Sequence, residues 1–209
     1  MNKDQILQIA KPILFNPDMV AAILNDAKTE TRRVIKPQPI LSDGLWQLGF
    51  AGWSKELSRV SVMPGHSLYK KAPYKPGEYL YVRETWCNIN KPGAEPDYYY
   101  FADTRICEDY DPAEWKWRPS IHMPKEAARI FLRVNNIWIE RLRNIDAVSA
   151  KAEGIKPCNV GIGKEDVSLS LIIRYSALWN TTIPKKDLYR YGWNANPWVW
   201  ATQFEKVEV

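Results

Sequence analysis

The longest regular pattern in the chain is "ARIFLRVNNIWIERL", at residues 128–142. Apolar and polar residues alternate through most of it, which is typical of a strand with one buried face. The pattern predicts one long strand, or two strands broken at Asn135 and Asn136. "EYLYVRETW", at residues 78–86, and "NPWVWATQFEKVEV", at residues 196–209, predict further strands. The sequence therefore predicts a sheet as the framework of the fold.

Three stretches predict helices. Asn16 is a suitable cap for a helix that starts at Pro17. Asp146 or Asn144 can cap a second helix, which Gly154 would end. The third helix is predicted over residues 166–183, with a face formed by Leu169, Ile172, Ile173, Ser176, Ala177 and Asn180.

Together these elements predict an α+β fold. No change of composition marks a linker, so the chain is interpreted as one domain over residues 1–209. The stretches at about 42–75 and 90–120 are rich in turn residues and rings and lack a sustained period, which indicates insertions. Apolar residues make up 45% of the chain, enough for a sizeable core.

Composition excludes several classes of function. The three cysteines are far apart, and His66 and His122 have no neighbouring ligand, so no metal site is predicted. No apolar run approaches the ~20 residues of a membrane helix, and the first residues lack the core of a signal peptide. The sequence therefore predicts a cytoplasmic protein without membrane contact. The net charge of +5 permits a polyanionic partner, and the ten Trp, eleven Tyr and five Phe include enough rings to line a base-binding pocket.

The stretch "DAKTETRR", at residues 26–33, combines a lysine, a hydroxyl and two arginines. One interpretation is a solvated turn that leads into an exposed strand. The other is a reactive site, in which Lys28 activates the hydroxyl of Thr31 and Arg32 and Arg33 supply positive charge. Residues 28 and 31 of a regular strand point to opposite faces, so Lys28 is predicted to lie in the preceding turn.

The order of these blocks resembles the ASCH domain family, a PUA-like β-barrel related to RNA-binding and modified-base-reading domains. The family motif is G-x-K-x-x-E-x-R. Lys28 and Arg33 match it, Asp26 replaces the glycine, and Thr31 replaces the glutamate. Small ASCH amidohydrolases that deacetylate N4-acetylcytidine also carry threonine there. The blocks "RPSIHMP" and "VRETW" resemble those of larger, phage-type members.

The resemblance implies a catalytic set of lysine, threonine and glutamate, which falls on Lys28, Thr31 and, in "AKAEGI", Glu153. It implies hydrolysis of the acyl group of N4-acylated cytosine or cytidine without a cofactor. Arg33 and Arg32 are the candidate substrate-binding cations, and Trp86 is the candidate ring for stacking on the base.

Two other functions remain open. The first is a binding module without enzymatic activity, which reads RNA or a modified base through Lys28 and the two arginines. The second is a ribonuclease, although the sequence lacks the histidine pair that often serves as acid and base in phosphodiester cleavage.

Overall fold

The computed structural model of the chain describes residues 1–89, 97–103, 115–157 and 164–209, and it confirms a mixed α+β fold. The helices of these residues are α1 (Lys3–Ile9), α2 (Pro17–Leu24), α3 (Ala147–Ala152), α4 (Lys164–Thr182) and α5 (Leu188–Tyr191). The strands are β1 (Lys11–Leu14), β2 (Glu30–Val34), β3 (Ile40–Ser42), β4 (Leu45–Leu48), β5 (Ala51–Ser54), β6 (Arg59–Ser61), β7 (Tyr79–Arg83), β8 (Trp86–Ile89), β9 (Asp97–Tyr100), β10 (Phe131–Arg141) and β11 (Trp198–Val207). Much of the predicted insertion at 90–120 lies outside the described residues.

The chain divides into two compact units. The first comprises Met1–Asp26, Glu78–Arg133 and Glu205–Val209, and the second comprises Ala27–Gly77 and Val134–Phe204. The interpretation of residues 1–209 as one domain stays a prediction.

The first unit is built on β7. This strand runs parallel to β1 and antiparallel to the first three residues of β10, and β8 and β9 form a separate antiparallel pair. Its buried apolar cluster is formed by Ile6, Trp86, Met123, Ala127, Ala128 and Phe131.

The second unit contains the longer strand pairings. β2 is antiparallel to β11, and β6 is antiparallel to β10. β3, β4 and β5 form a three-stranded antiparallel sheet, of which β4 and β5 lie within the predicted insertion at 42–75. One apolar cluster packs around Trp53, Ile137 and Trp198, and another around Tyr175 and Trp179. The strands described within each unit do not close into a ring, so the PUA-like barrel stays a prediction.

Local signals determine the elements that flank the motif. The Asn16 side chain accepts a hydrogen bond from the Met19 amide at 2.9 Å, and this confirms the predicted start of α2. In the same way Asp146 caps α3 by accepting from the Ser149 amide at 2.7 Å. Gly154 follows α3 with a φ of +91°, a left-handed conformation that favours glycine, as predicted for the helix end.

The predicted face of α4 is wrong. The buried side chains are Leu171, Tyr175 and Trp179, spaced four residues apart, whereas Leu169 and Ile173 are 59% and 57% exposed. Large rings bury more area than the small residues assigned to the predicted face, and this difference selects the face that packs inward.

Candidate functional site

A turn between α2 and β2 places Lys28 against the end of α3. Lys28 and Glu153 form an isolated antiparallel β-bridge, and the Thr29 amide donates to the Ala152 carbonyl at 2.8 Å. Lys28 therefore lies outside the strand β2, as the spacing of the motif predicted, but it forms a β-bridge two residues after the turn at 25–26 and does not lie in the turn itself. Within the turn, Asp26 has a φ of +54°.

The Lys28 side chain is fully buried and donates three hydrogen bonds. Its Nζ lies 2.6 Å from Glu153 Oε2, 3.0 Å from the Glu153 carbonyl oxygen and 2.7 Å from the Glu30 carbonyl oxygen. Three donated bonds match the three hydrogens of an ammonium group. Burial lowers the pKa of Lys28, and the nearby Glu153 carboxylate acts in the opposite direction.

Glu153 is also held by a second cation. Arg32 Nη1 lies 3.3 Å from Glu153 Oε1, and the same guanidinium contacts Glu30 at 3.1 Å and Glu140 at 2.8 Å. The Tyr175 hydroxyl donates to Glu153 Oε1 at 3.4 Å, and burial, followed by the Glu153 charge, raises the pKa of this phenol. We call Lys28, Glu30, Arg32, Glu140 and Glu153 the buried charge cluster; all five residues are at most 8% exposed.

The cluster contains three carboxyl groups and two cations. Burial raises the pKa of Glu30, although Arg32 beside it has the opposite effect. Burial therefore makes the Glu30 carboxyl group hold a proton more tightly than an exposed glutamate does.

Thr31 lies on β2 directly opposite Thr202 of β11 and is 1% exposed. Its hydroxyl accepts a hydrogen bond from Arg33 Nη1 at 3.0 Å. Because side chains alternate along a strand, Thr31 and Arg33 lie on one face of β2, whereas Glu30 and Arg32 lie on the other. The structure thus joins Lys28, Arg32 and Glu153 in one cluster and pairs Thr31 with Arg33.

Trp86 belongs to the first unit, where its ring is 3% exposed. It packs in the apolar cluster with Ile6 and Phe131, and the Arg118 guanidinium lies 5.1 Å from the ring centre. Trp86 therefore contributes to packing, and its predicted stacking on a base stays a prediction.

Sequence reasoning missed Glu30, Glu140 and Tyr175. Glu140 is the last of four consecutive buried residues on β10. The sequence signal that could have identified it is a carboxylate directly after a run of apolar strand residues. Tyr175 lies on the buried face of α4 between Leu171 and Trp179, a face that the sequence prediction did not select.

Two further observations bear on the kind of site. In the part of the chain that the structure describes, no helix has the length and apolarity needed to cross a bilayer. Among the same residues, no group of three or more His, Cys, Asp and Glu side chains is arranged to hold a metal ion.

No protein-family model, curated protein or solved structure matches the chain. The arrangement of its own residues therefore carries the functional argument.

Proposed function

We propose that the chain is an amidohydrolase that removes the acyl group from N4-acylated cytosine or cytidine, with Lys28, Thr31 and Glu153 as its catalytic residues. The observation that carries the proposal is the 2.6 Å contact between Lys28 Nζ and Glu153 Oε2. The contact joins two members of the proposed catalytic set that are 125 residues apart in sequence. Lys28 precedes the third member, Thr31, by three residues. An ASCH-type, PUA-like barrel is part of the same proposal.

The backbone at the start of the motif supports this proposal. Asp26 occupies the position of the motif's glycine, and its φ of +54° lies in the left-handed region that glycine adopts most readily. Aspartate is one of the few other residues that tolerate this region. The replacement of glycine by Asp26 is therefore compatible with the turn that positions Lys28.

The contact suggests how a neutral amine is produced. Transfer of one proton from Lys28 Nζ to Glu153 Oε2 converts a buried ion pair into two neutral groups, and burial favours neutral forms. In this structure the Thr31 side chain lies on the face of β2 opposite Arg32, so the proposed reaction requires its hydroxyl to turn toward Lys28. The hydroxyl then attacks the acyl carbonyl and gives its proton to Lys28. The protonated Glu153 gives its proton to the departing N4 amine, and water hydrolyses the acyl-threonine.

The arginines have different roles in this proposal. Arg33 donates to the Thr31 hydroxyl, so its positive charge can stabilise negative charge that develops at the reacting centre. Arg32 is buried and bonded to three carboxylates, which suits a positioning residue that orients Glu153. Direct contact of Arg32 with substrate stays a prediction.

One observation favours a second candidate, a binding module without enzymatic activity. Lys28 Nζ already donates to three oxygens, an arrangement that suits a permanent ion pair which fixes the turn. In this alternative Arg33, which is only partly buried, contacts the phosphate of RNA or a modified base. Binding would then weaken steeply with salt.

The two candidates are separated by incubation of the protein with N4-acetylcytidine and chromatography of the product. We expect cytidine from the wild type and a rate at least ~100-fold lower for Thr31→Val, which keeps the shape of the side chain but lacks the nucleophile. Thr31→Ser, which keeps the hydroxyl, should retain measurable turnover.

Thr202→Val is the matched control, because Thr202 is the cross-strand partner of Thr31 and is similarly buried. It should hydrolyse the substrate like the wild type. Full activity of Thr31→Val would refute nucleophilic catalysis by this residue. An inert wild type whose RNA binding depends steeply on salt and is weakened by Arg33→Gln would establish the binding module at this site, and degradation of the RNA without deacylation would indicate a ribonuclease.

A further inference from the structure

The second unit has a cavity of about 440 Å³ beside the hairpin of β4 and β5. It lies within the insertion at 42–75 and shares no lining residue with the buried charge cluster. The cavity is lined by Phe50, Ala51, Gly65, His66, Ser67, Tyr69, Lys70 and Lys71.

A fully exposed aromatic ring stands at its edge. Leu48 of β4 pairs with Ala51 of β5, so Gly49 and Phe50 form a two-residue hairpin loop. Gly49 has a φ of +62° at the first loop position, where such turns require glycine. The loop leaves Phe50 fully exposed, with a relative exposure of 104%. A ring presented in this way offers a flat surface on which a base can stack.

Cations surround the same cavity. Lys70 and Lys71 are exposed, and a Cβ built on Gly49 would lie 3.3 Å from Lys71 Nζ, which places this ammonium beside the hairpin turn. His66 Nδ1 accepts a hydrogen bond from the Leu68 amide at 3.1 Å, which orients the imidazole at the edge of the cavity. None of the described residues that line the cavity is acidic. The cavity therefore combines positive charge with apolar surface.

The cavity has a rigid base. Leu48, Ala51 and Leu68 are buried in the apolar cluster around Trp53, and Tyr69 packs against that cluster. Side chains held on such a base lose little conformational freedom when they bind a ligand.

We propose that this cavity binds single-stranded nucleic acid, with one base stacked on Phe50 and the adjoining phosphates bound by Lys70 and Lys71. An acidic peptide would neutralise the lysines but leave the phenyl ring without a flat partner. A duplex would offer phosphates but keep its bases stacked inside. The inference does not depend on the amidohydrolase activity.

The test is binding of fluorescein-labelled oligouridylate, followed by fluorescence anisotropy in a salt titration. We expect Phe50→Ala to weaken binding by roughly 5- to 100-fold, which corresponds to the loss of one stacked base. Phe50→Trp should retain wild-type affinity. Lys70→Gln and Lys71→Gln should each reduce the slope of log K against log salt by about 0.7.

Leu57→Ala and Lys55→Gln are the controls, because both residues are exposed in the same insertion but do not line the cavity. Both variants should bind like the wild type. Because Phe50 lies at an exposed loop tip, its replacement leaves the core intact. Oligodeoxythymidylate in place of oligouridylate identifies RNA or DNA as the source of the strand.

Three outcomes would overturn the proposal. They are absence of binding to both oligonucleotides, wild-type affinity of Phe50→Ala, and equally effective competition by polyglutamate. The last outcome would identify an acidic protein surface as the ligand. None of these results would affect the test with N4-acetylcytidine.

Discussion

Each unit contains a buried glutamate paired with one or more cations, and the two units differ in how exposed those cations are. In the first unit Glu84 is 1% exposed and pairs with Arg129, which also binds Asp103; the side chains of Arg129 and Asp103 are 26% and 49% exposed. In the second unit Glu153 pairs with Lys28 and Arg32, whose side chains are at most 1% exposed. One cluster reaches water and the other is enclosed by protein.

The difference determines how each cluster responds to loss of a charge. We call Glu84, Arg129 and Asp103 the first cluster; water can solvate its arginine when a carboxylate partner is removed. In the buried charge cluster a cation that loses its partner stays in a medium of low polarity, and this costs several kcal/mol of stability. We therefore expect the buried charge cluster to be much more sensitive to substitution.

The largest expected effect is that of Glu153→Gln, which removes the buried carboxylate that Lys28 Nζ contacts at 2.6 Å. We expect the free energy of unfolding to fall by about 3–5 kcal/mol, measured by urea denaturation. Glu84→Gln is the matched change in the first unit and should cost clearly less, because Arg129 keeps Asp103 and reaches solvent. Equal losses of unfolding free energy in the two variants would show that burial of the cations does not determine how sensitive a cluster is to substitution.

A smaller effect is expected for Glu30→Gln, and it should depend on pH. The pKa of Glu30 in the folded protein is raised by burial, so the folded state holds this proton more tightly than the unfolded chain. The wild type therefore loses this contribution to stability as pH rises from the unfolded pKa through the folded one, and the glutamine variant lacks the Glu30 contribution.

Relative to the wild type, Glu30→Gln should gain about 1.4 kcal/mol for each unit by which the pKa is raised. Unfolding of both proteins in urea between pH 4 and pH 8 measures the gain. A constant difference across this range would contradict a raised pKa.

The smallest effect is expected for Asp103→Asn, which removes the exposed partner of Arg129. A loss of about 0.2–1 kcal/mol, decreasing with added salt, is typical of such pairs. Thermal unfolding at low and high salt measures it. A loss of stability as large as that of Glu153→Gln would show that water does not compensate Arg129 for the removed carboxylate.

The elements that could be predicted from the sequence are those fixed by neighbouring residues. Asn16 and Asp146 cap helices by accepting hydrogen bonds from amides three residues later in the chain, and alternation of apolar and polar residues predicted the strand at β10. The position of Lys28 outside β2 followed from alternation, because residues 28 and 31 of one strand would point to opposite faces.

The rest of the buried charge cluster depends on residues far apart in sequence. Arg32 and Glu140 are 108 residues apart, and no local pattern indicates that β2 and β10 bring them together. Glu153 was selected through the resemblance to a family and not through its contacts. The sequence does not show which of its many aromatic rings are buried, and Trp86, the ring predicted to stack on a base, is one of the buried ones.

The bridge between Lys28 and Glu153 has a consequence for synthesis of the protein. The lysine leaves the ribosome long before its carboxylate, since 125 residues of translation separate them. Until Glu153 has been synthesised, the Lys28 ammonium group cannot form this ion pair. The turn between α2 and β2 then lacks a contact that stabilises its final conformation. The site should therefore become resistant to protease only after the polypeptide has grown past α3.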